Sequence, residues 1–151
     1  MLDEDYKKQF NQVVDQTEFA IELPAQWQNY FAERGEIPSF ADDKRGSQRL
    51  KVRTHGLMWF EKSLPFLSRQ PGVRGVYTKD FSRHGVGVLC DTQLFPEEQL
   101  RILLPTFWIR VRVVRARRLT SRCYEIGNEL IERLDPCEEA FDMLNDVALT
   151  P

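Results

Sequence analysis

The stretch Trp108-Ile-Arg-Val-Arg-Val-Val114 alternates apolar and cationic side chains with a period of two. In an extended chain successive side chains point to opposite faces, so Ile109, Val111 and Val113 share one face and Arg110 and Arg112 the other. The pattern predicts a half-buried β-strand, and the Val113-Val114 doublet predicts a bulge that changes its phase. The same period recurs outward from this segment. Leu50 and Val52 alternate with Arg49, Lys51 and Arg53 in a run that extends toward Met58-Trp59-Phe60. After a loop at 63–73, residues 73–82, 85–90, 99–104, 107–119 and 122–131 are further strand candidates. Six strands with short links predict an antiparallel barrel or sandwich.

The two ends read differently. Tyr6, Phe10, Val13 and Val14 recur at helical spacing, so residues 3–34 are expected to be helical. A second short helix is expected to start at Pro24, carry Trp27, Tyr30 and Phe31 on one side and stop at Gly35. Residues 37–46 contain Pro, Ser, Asp and Gly without periodicity and read as a linker. In the tail, Phe141, Leu144 and Val147 at spacing three predict a short amphipathic helix closing on the barrel. The expected organisation is an acidic helical arm and linker over 1–43, a β-barrel over 44–135 and a C-terminal helix over 136–151.

With 151 residues, 42% of them hydrophobic, the chain suffices for one sizeable core and not for two ordinary domains. The start, MLDEDYKKQF, is acidic and polar, and the longest uncharged run is ten residues, Leu23 to Ala32, so neither an export signal nor a membrane insertion is expected. Three cysteines, Cys90, Cys123 and Cys137, without a CxxC pair, suit structural thiols in a reducing cytoplasm. The net charge of −2 conceals segregation: residues 1–43 hold ten acids and three bases, 44–122 five and seventeen, and 123–151 eight and one. A basic middle between acidic ends points to an anionic partner, to the ends folding over the middle, or to both.

Two short segments stand out. Asp80-Phe-Ser-Arg-His-Gly85 interrupts strand-like sequence, and Arg45-Gly-Ser-Gln-Arg49 places two arginines four apart in the lead-in. In an extended chain Asp80 and Ser82 share a face while Phe81 takes the other, and Gly85 permits a positive φ or the close approach of another group. An acceptor carboxylate beside a hydroxyl suits the guanine edge that presents N1–H and N2–H₂. Arginine supplies the complement, since its fork bonds guanine O6 and N7, stacks on the base or clamps a phosphate. Taken singly, the hexapeptide also reads as an Asx or Ser turn between two strands, and the arginine pair as a solvated face.

The two segments together, in this order and strand context, resemble the PilZ domain, the bacterial receptor module for the second messenger cyclic di-GMP, whose signature is R-x-x-x-R followed by [D/N]-x-S-x-x-G. The resemblance covers about residues 44–135, including Gly85–Asp91, the hairpin around Glu97–Pro105, the long strand at 108–119 and Tyr124–Ile131. It implies a mainly β chain: a six-stranded antiparallel barrel with a C-terminal helix, binding cyclic di-GMP at its edge, as a signal-transduction effector and not an enzyme. Arg45 and Arg49 would hold guanines and phosphates, Asp80 and Ser82 would meet a guanine edge, and Gly85 would shape the turn. Lys44 stands where relatives often carry another arginine and would reach at most a phosphate; His84 is a turn residue near the pocket.

Other readings carry less. A barrel that has given up the nucleotide would be a protein-interaction adaptor, and a protein partner is expected at the arm or the barrel surface in either case. Nucleic acid is not the expected ligand of Arg110, Arg112, Arg115, Arg117 and Arg118, because such arginines ordinarily solvate a strand or pair with acids. His55 and His84 lack metal-ligand spacing and no nucleophile–base order is present, so no metal, cofactor or catalytic residue is expected.

Overall fold

The computed structural model describes residues 3–36 and 49–144, and for Glu36 the backbone alone. Helix α1 (Asp3–Gln16) opens the chain, followed by the short strands β1 (Gly35–Glu36) and β2 (Leu50–Lys51). Six longer strands follow: β3 (His55–Lys62), β4 (Arg74–Phe81), β5 (Gly85–Cys90), β6 (Gln99–Leu103), β7 (Trp108–Thr120) and β8 (Cys123–Leu134). They pair antiparallel in the cyclic order β3-β4-β5-β8-β7-β6 and back to β3, a closed barrel. Closure leaves these strands no free edge. β1 and β2 form a small flap whose Leu50 and Lys51 pair with Phe81 and Asp80 of β4.

Alternation decides what fills the barrel. Ile109, Val111 and Val113 are buried inside with Met58, Val76, Val86, Val88, Leu100, Ile102 and Ile126, as the period of two requires. The register of β7 against β8 shifts between Val113 and Arg115, so the expected bulge is present and Val114 is left exposed. Beyond it the phase is reversed, and Arg115 and Arg117 face outward where an unbroken strand would have turned them in.

The outside of the barrel is not all polar. Leu57, Trp59, Leu103 and Trp108 form a second apolar surface, and α1 covers it with Tyr6, Phe10 and Val13 at helical spacing. Asp3, Glu4 and Asp5 in its first turn complement the positive end of the helix dipole. The Tyr6 hydroxyl lies 2.7 Å from the Leu104 carbonyl and 2.9 Å from that of Phe107, and burial pushes its pKa well up.

After Gln16 the arm departs from the expected helix. Phe19, Ile21 and Leu23 recur at spacing two and pack on Tyr77, Leu89 and Cys123 as an extended segment, pinned by the Glu22 N–H to the Arg122 carbonyl at 3.1 Å. The helix expected from Pro24 is reduced to turns and a 3₁₀ turn at Tyr30–Ala32, because Asn29 before it adopts a left-handed conformation with φ 60°. Trp27 stacks on Tyr30, whose buried hydroxyl donates to the Thr78 carbonyl at 2.6 Å. These aromatics are barrel covering, as is Phe141, buried in the 3₁₀ turn Glu138–Phe141. Residues 143–144 are helical, and the rest of the expected C-terminal helix lies outside the described residues.

One buried ion pair fastens the β3–β4 loop. Glu98, fully buried, receives hydrogen bonds from Arg69 at 2.6 and 2.9 Å, from Ser63 at 2.7 Å and from the Phe95 N–H at 2.8 Å. Burial alone would raise its pKa, but these donors outweigh it and hold the carboxyl below the ordinary value. A depressed folded-state pKa gives stability that is present above the unfolded pKa and lost as pH falls through the folded one. Arg69→Ala should therefore cost about 3–5 kcal/mol at neutral pH by leaving a buried carboxylate unpaired. Denaturant titrations should show that difference shrinking below the carboxylate range. Phe10→Ala should cost about 3–5 kcal/mol at any pH, measured the same way, since it opens a cavity over Trp59 and Trp108.

Candidate functional site

The hairpin joining β4 to β5 is closed locally. The Ser82 N–H donates to the Gly85 carbonyl at 2.9 Å, and the Gly85 N–H donates to Ser82 Oγ at 3.1 Å. The His84 carbonyl accepts from the Leu130 N–H at 2.8 Å, which ties the turn to β8. Gly85 serves by close approach: a Cβ there would lie 3.3 Å from both the Asn128 carbonyl and Ser82 Oγ, and its φ is not among the positive ones, which belong to Gly35 and Gly72. The bland turn and the furnished site are thus one object, since Ser82 closes the turn and its hydroxyl proton has only a 3.4 Å contact with the Gly85 carbonyl.

Beside this turn an open cleft lies on the outer face of the barrel, and Arg49, Asp80, Ser82 and Gly85 all line it. Four strands contribute to it through one row of the ladder: Asp80 of β4 opposes Gly87 of β5, Gly87 opposes Gly127 of β8, and Gly127 opposes Arg115 of β7. The two glycines make a floor without side chains. A Cβ on Gly87 would fall 2.9 Å from Asp80 Oδ1, and one on Gly127 would fall 3.1 Å from Arg115 Cγ and Nε. Each glycine therefore lets its neighbour's side chain lie across the strand.

Charge is arranged unevenly around the floor. Asp80 is buried, at 5% exposure, and its Oδ2 lies 3.4 Å from Lys79 Nζ, which also pairs with Glu125 at 3.2 Å. A bulge between Thr78 and Asp80 displaces Lys79 from the regular alternation and so lets both residues reach the cleft. Arg49 and Arg115 have no ion-pair or hydrogen-bond partner among the described residues. Three cations against two carboxylates, with a hydroxyl and a flat floor, suit a planar anionic ligand that carries both donors and acceptors.

Of the residues singled out in the sequence, Lys44 and Arg45 lie outside the described residues, and the exposed side chain of His84 is not part of the cleft lining. Sequence reading missed Gly87, Gly127, Lys79, Arg115 and Asn128. The glycines had a signal, since Val86-Gly87-Val88 and Ile126-Gly127-Asn128 put a glycine at an outward position of an alternating strand. Their juxtaposition had none, because it needs the register of β5 with β8. Among the described residues no group of three or more His, Cys, Asp or Glu is placed to hold a metal ion. No described helix is long and apolar enough to cross a membrane.

Comparison with known proteins agrees with this architecture. No curated protein and no solved structure matches the chain. The family model of the PilZ domain matches residues 43–141, a span that takes in the whole barrel and the cleft. Such domains are receptor modules for cyclic di-GMP, and with two thirds of its length matched this chain belongs to the PilZ domain family.

Proposed function

We propose that the protein is a cyclic di-GMP receptor of bacterial second-messenger signalling, with Arg45, Arg49, Asp80, Ser82 and Gly85 as its ligand-binding residues. The observation that carries this reading is the convergence of Arg49 with Asp80, Ser82 and Gly85 on one cleft. The pairing of Lys51 with Asp80 supports it further, because it brings the chain just after Arg49 beside the Asp-x-Ser turn. Asp80 accepts from guanine N1–H and N2–H₂, Ser82 donates to the ligand, and the arginines take phosphates and the base face. Lys44 adds charge alone.

A route from ligand to arm follows from the flap. β2 touches the site through Asp80 and touches the arm through β1, and Glu33 pairs with Lys51 at 3.1 Å and Arg53 at 3.7 Å. Arg53 stacks on Tyr30 at 4.2 Å and donates to the Lys79 carbonyl at 2.8 Å. Ligand binding reorders the lead-in and is transmitted to residues 30–36, while α1 stays docked on Trp59 and Trp108. A protein partner reads the change.

A second reading, an adaptor that does not take the nucleotide, draws on Phe66, fully exposed in a loop that the Arg69–Glu98 pair holds firm. Exposed aromatics on a rigid base are suited to protein contact. Calorimetry separates the two. Each charge-assisted hydrogen bond lost should cost about 1.5–3 kcal/mol, or one to two decades of affinity. Arg49→Ala and Asp80→Ala are expected to weaken cyclic di-GMP binding at least about tenfold with the melting temperature retained. Unchanged affinity in both variants would remove the site assignment, and a wild-type protein silent at micromolar ligand would favour the adaptor over the receptor.

A further inference from the structure

Four outward arginines of β7 face β8, and three of them meet a glutamate there. Arg110 opposes Glu132, Arg112 opposes Glu129 and Arg117 opposes Glu125, each joined by an ion pair. Arg115 opposes Gly127 and has no ion-pair or hydrogen-bond partner among the described residues. Its guanidinium lies over that glycine, with Cζ 3.3 Å from where a Cβ would be, while Asp80 lies over the adjacent Gly87. A donor-only fork and an acceptor-only carboxylate thus sit side by side in one ladder row, over a bare floor, and no ion pair joins them.

Guanine presents that pattern in complement along one continuous rim: N2–H₂ and N1–H are donors, and O6 and N7 follow as acceptors. We propose that Arg115 is a specificity-determining residue of the cleft, forking guanine O6 and N7 while Asp80 takes N1–H and N2–H₂ of the same base. The inference rests on the cyclic di-GMP reading and adds to it a residue that neither signature segment contains. Adenine fails at both ends of the rim, since it offers an amino donor to the guanidinium and an unprotonated N1 to the carboxylate. Lysine in place of Arg115 keeps the charge but cannot bond two acceptors in one plane.

The test uses the full chain with cyclic di-GMP and with its analogue in which guanine N7 is replaced by CH. Arg115 is exposed and makes no ion pair or hydrogen bond among the described residues, so its variants should fold. Arg115→Ala should bind cyclic di-GMP about tenfold or more weakly, and Arg115→Lys should recover little of that. Wild type should lose about tenfold on passing to the analogue, whereas Arg115→Ala should lose nothing further. Wild-type affinity in Arg115→Ala, full recovery in Arg115→Lys, or an equal analogue penalty in both proteins would overturn the assignment of Arg115 and leave the receptor reading standing. A wild-type protein that binds neither nucleotide would defeat the receptor reading, and the inference with it.

Discussion

Pairing of β5 on both of its edges is the constraint on which the rest of this structure depends. The strand has six residues and is hydrogen-bonded to β4 on one side and β8 on the other. Val86, Val88 and Cys90 face the core, so a slip of one residue would invert every side chain. The register is thereby held on both sides, and with it the placing of Gly87 between Asp80 and Gly127. The floor of the cleft is a by-product of barrel closure and needs no loop to maintain it. Over that floor lie the side chains of Asp80 and Arg115, placed by the same ladder row.

The segregated charge has an equally local explanation. The division between the basic middle and the acidic end of the chain falls in the β7–β8 turn, so the two blocks become opposite sides of one hairpin. Arg110, Arg112 and Arg117 are matched by Glu132, Glu129 and Glu125 across it, with Glu61, Glu97 and Glu139 adding further contacts. Exposed pairs of this kind contribute roughly 0–1 kcal/mol each, so their effect is less on stability than on the surface potential. They neutralise Arg110, Arg112 and Arg117 locally, while Arg115 in the cleft has no carboxylate opposite it.

Although Leu57, Trp59 and Leu103 make β3 and β6 apolar on the outside as well, the barrel was legible because strands such as β7 have one wet face and one dry face, which period-two patterning reports directly. The bulge at Val114 was legible for the same reason. The arm was read less well. Its first fourteen helical residues show in the spacing of Tyr6, Phe10 and Val13, but Phe19, Ile21 and Leu23 had been absorbed into a longer helix although their own spacing is two. Packing against Tyr77 and Leu89 decides that segment, and three apolar residues at spacing two are too short a local signal to outweigh the helical pattern before them. The candidate cleft was legible where it is local, in Asp80, Ser82 and Gly85, which line it together. Arg115 escaped because it is one of many arginines, and only the partner strand shows that it faces a glycine.

The docking of α1 bears on what counts as a module. The family match begins at residue 43, yet Leu57, Trp59, Leu103 and Trp108 are covered by side chains from residues 6, 10 and 13. The recognisable sequence unit is therefore shorter than the folding unit. A receptor transplanted into another protein by cutting at the family boundary would carry two tryptophans on a bare outer wall, and would seek the missing helix in whatever it was fused to. The arm belongs to the barrel in the way that a lining belongs to a coat, and a working graft of this receptor has to begin at its first helix.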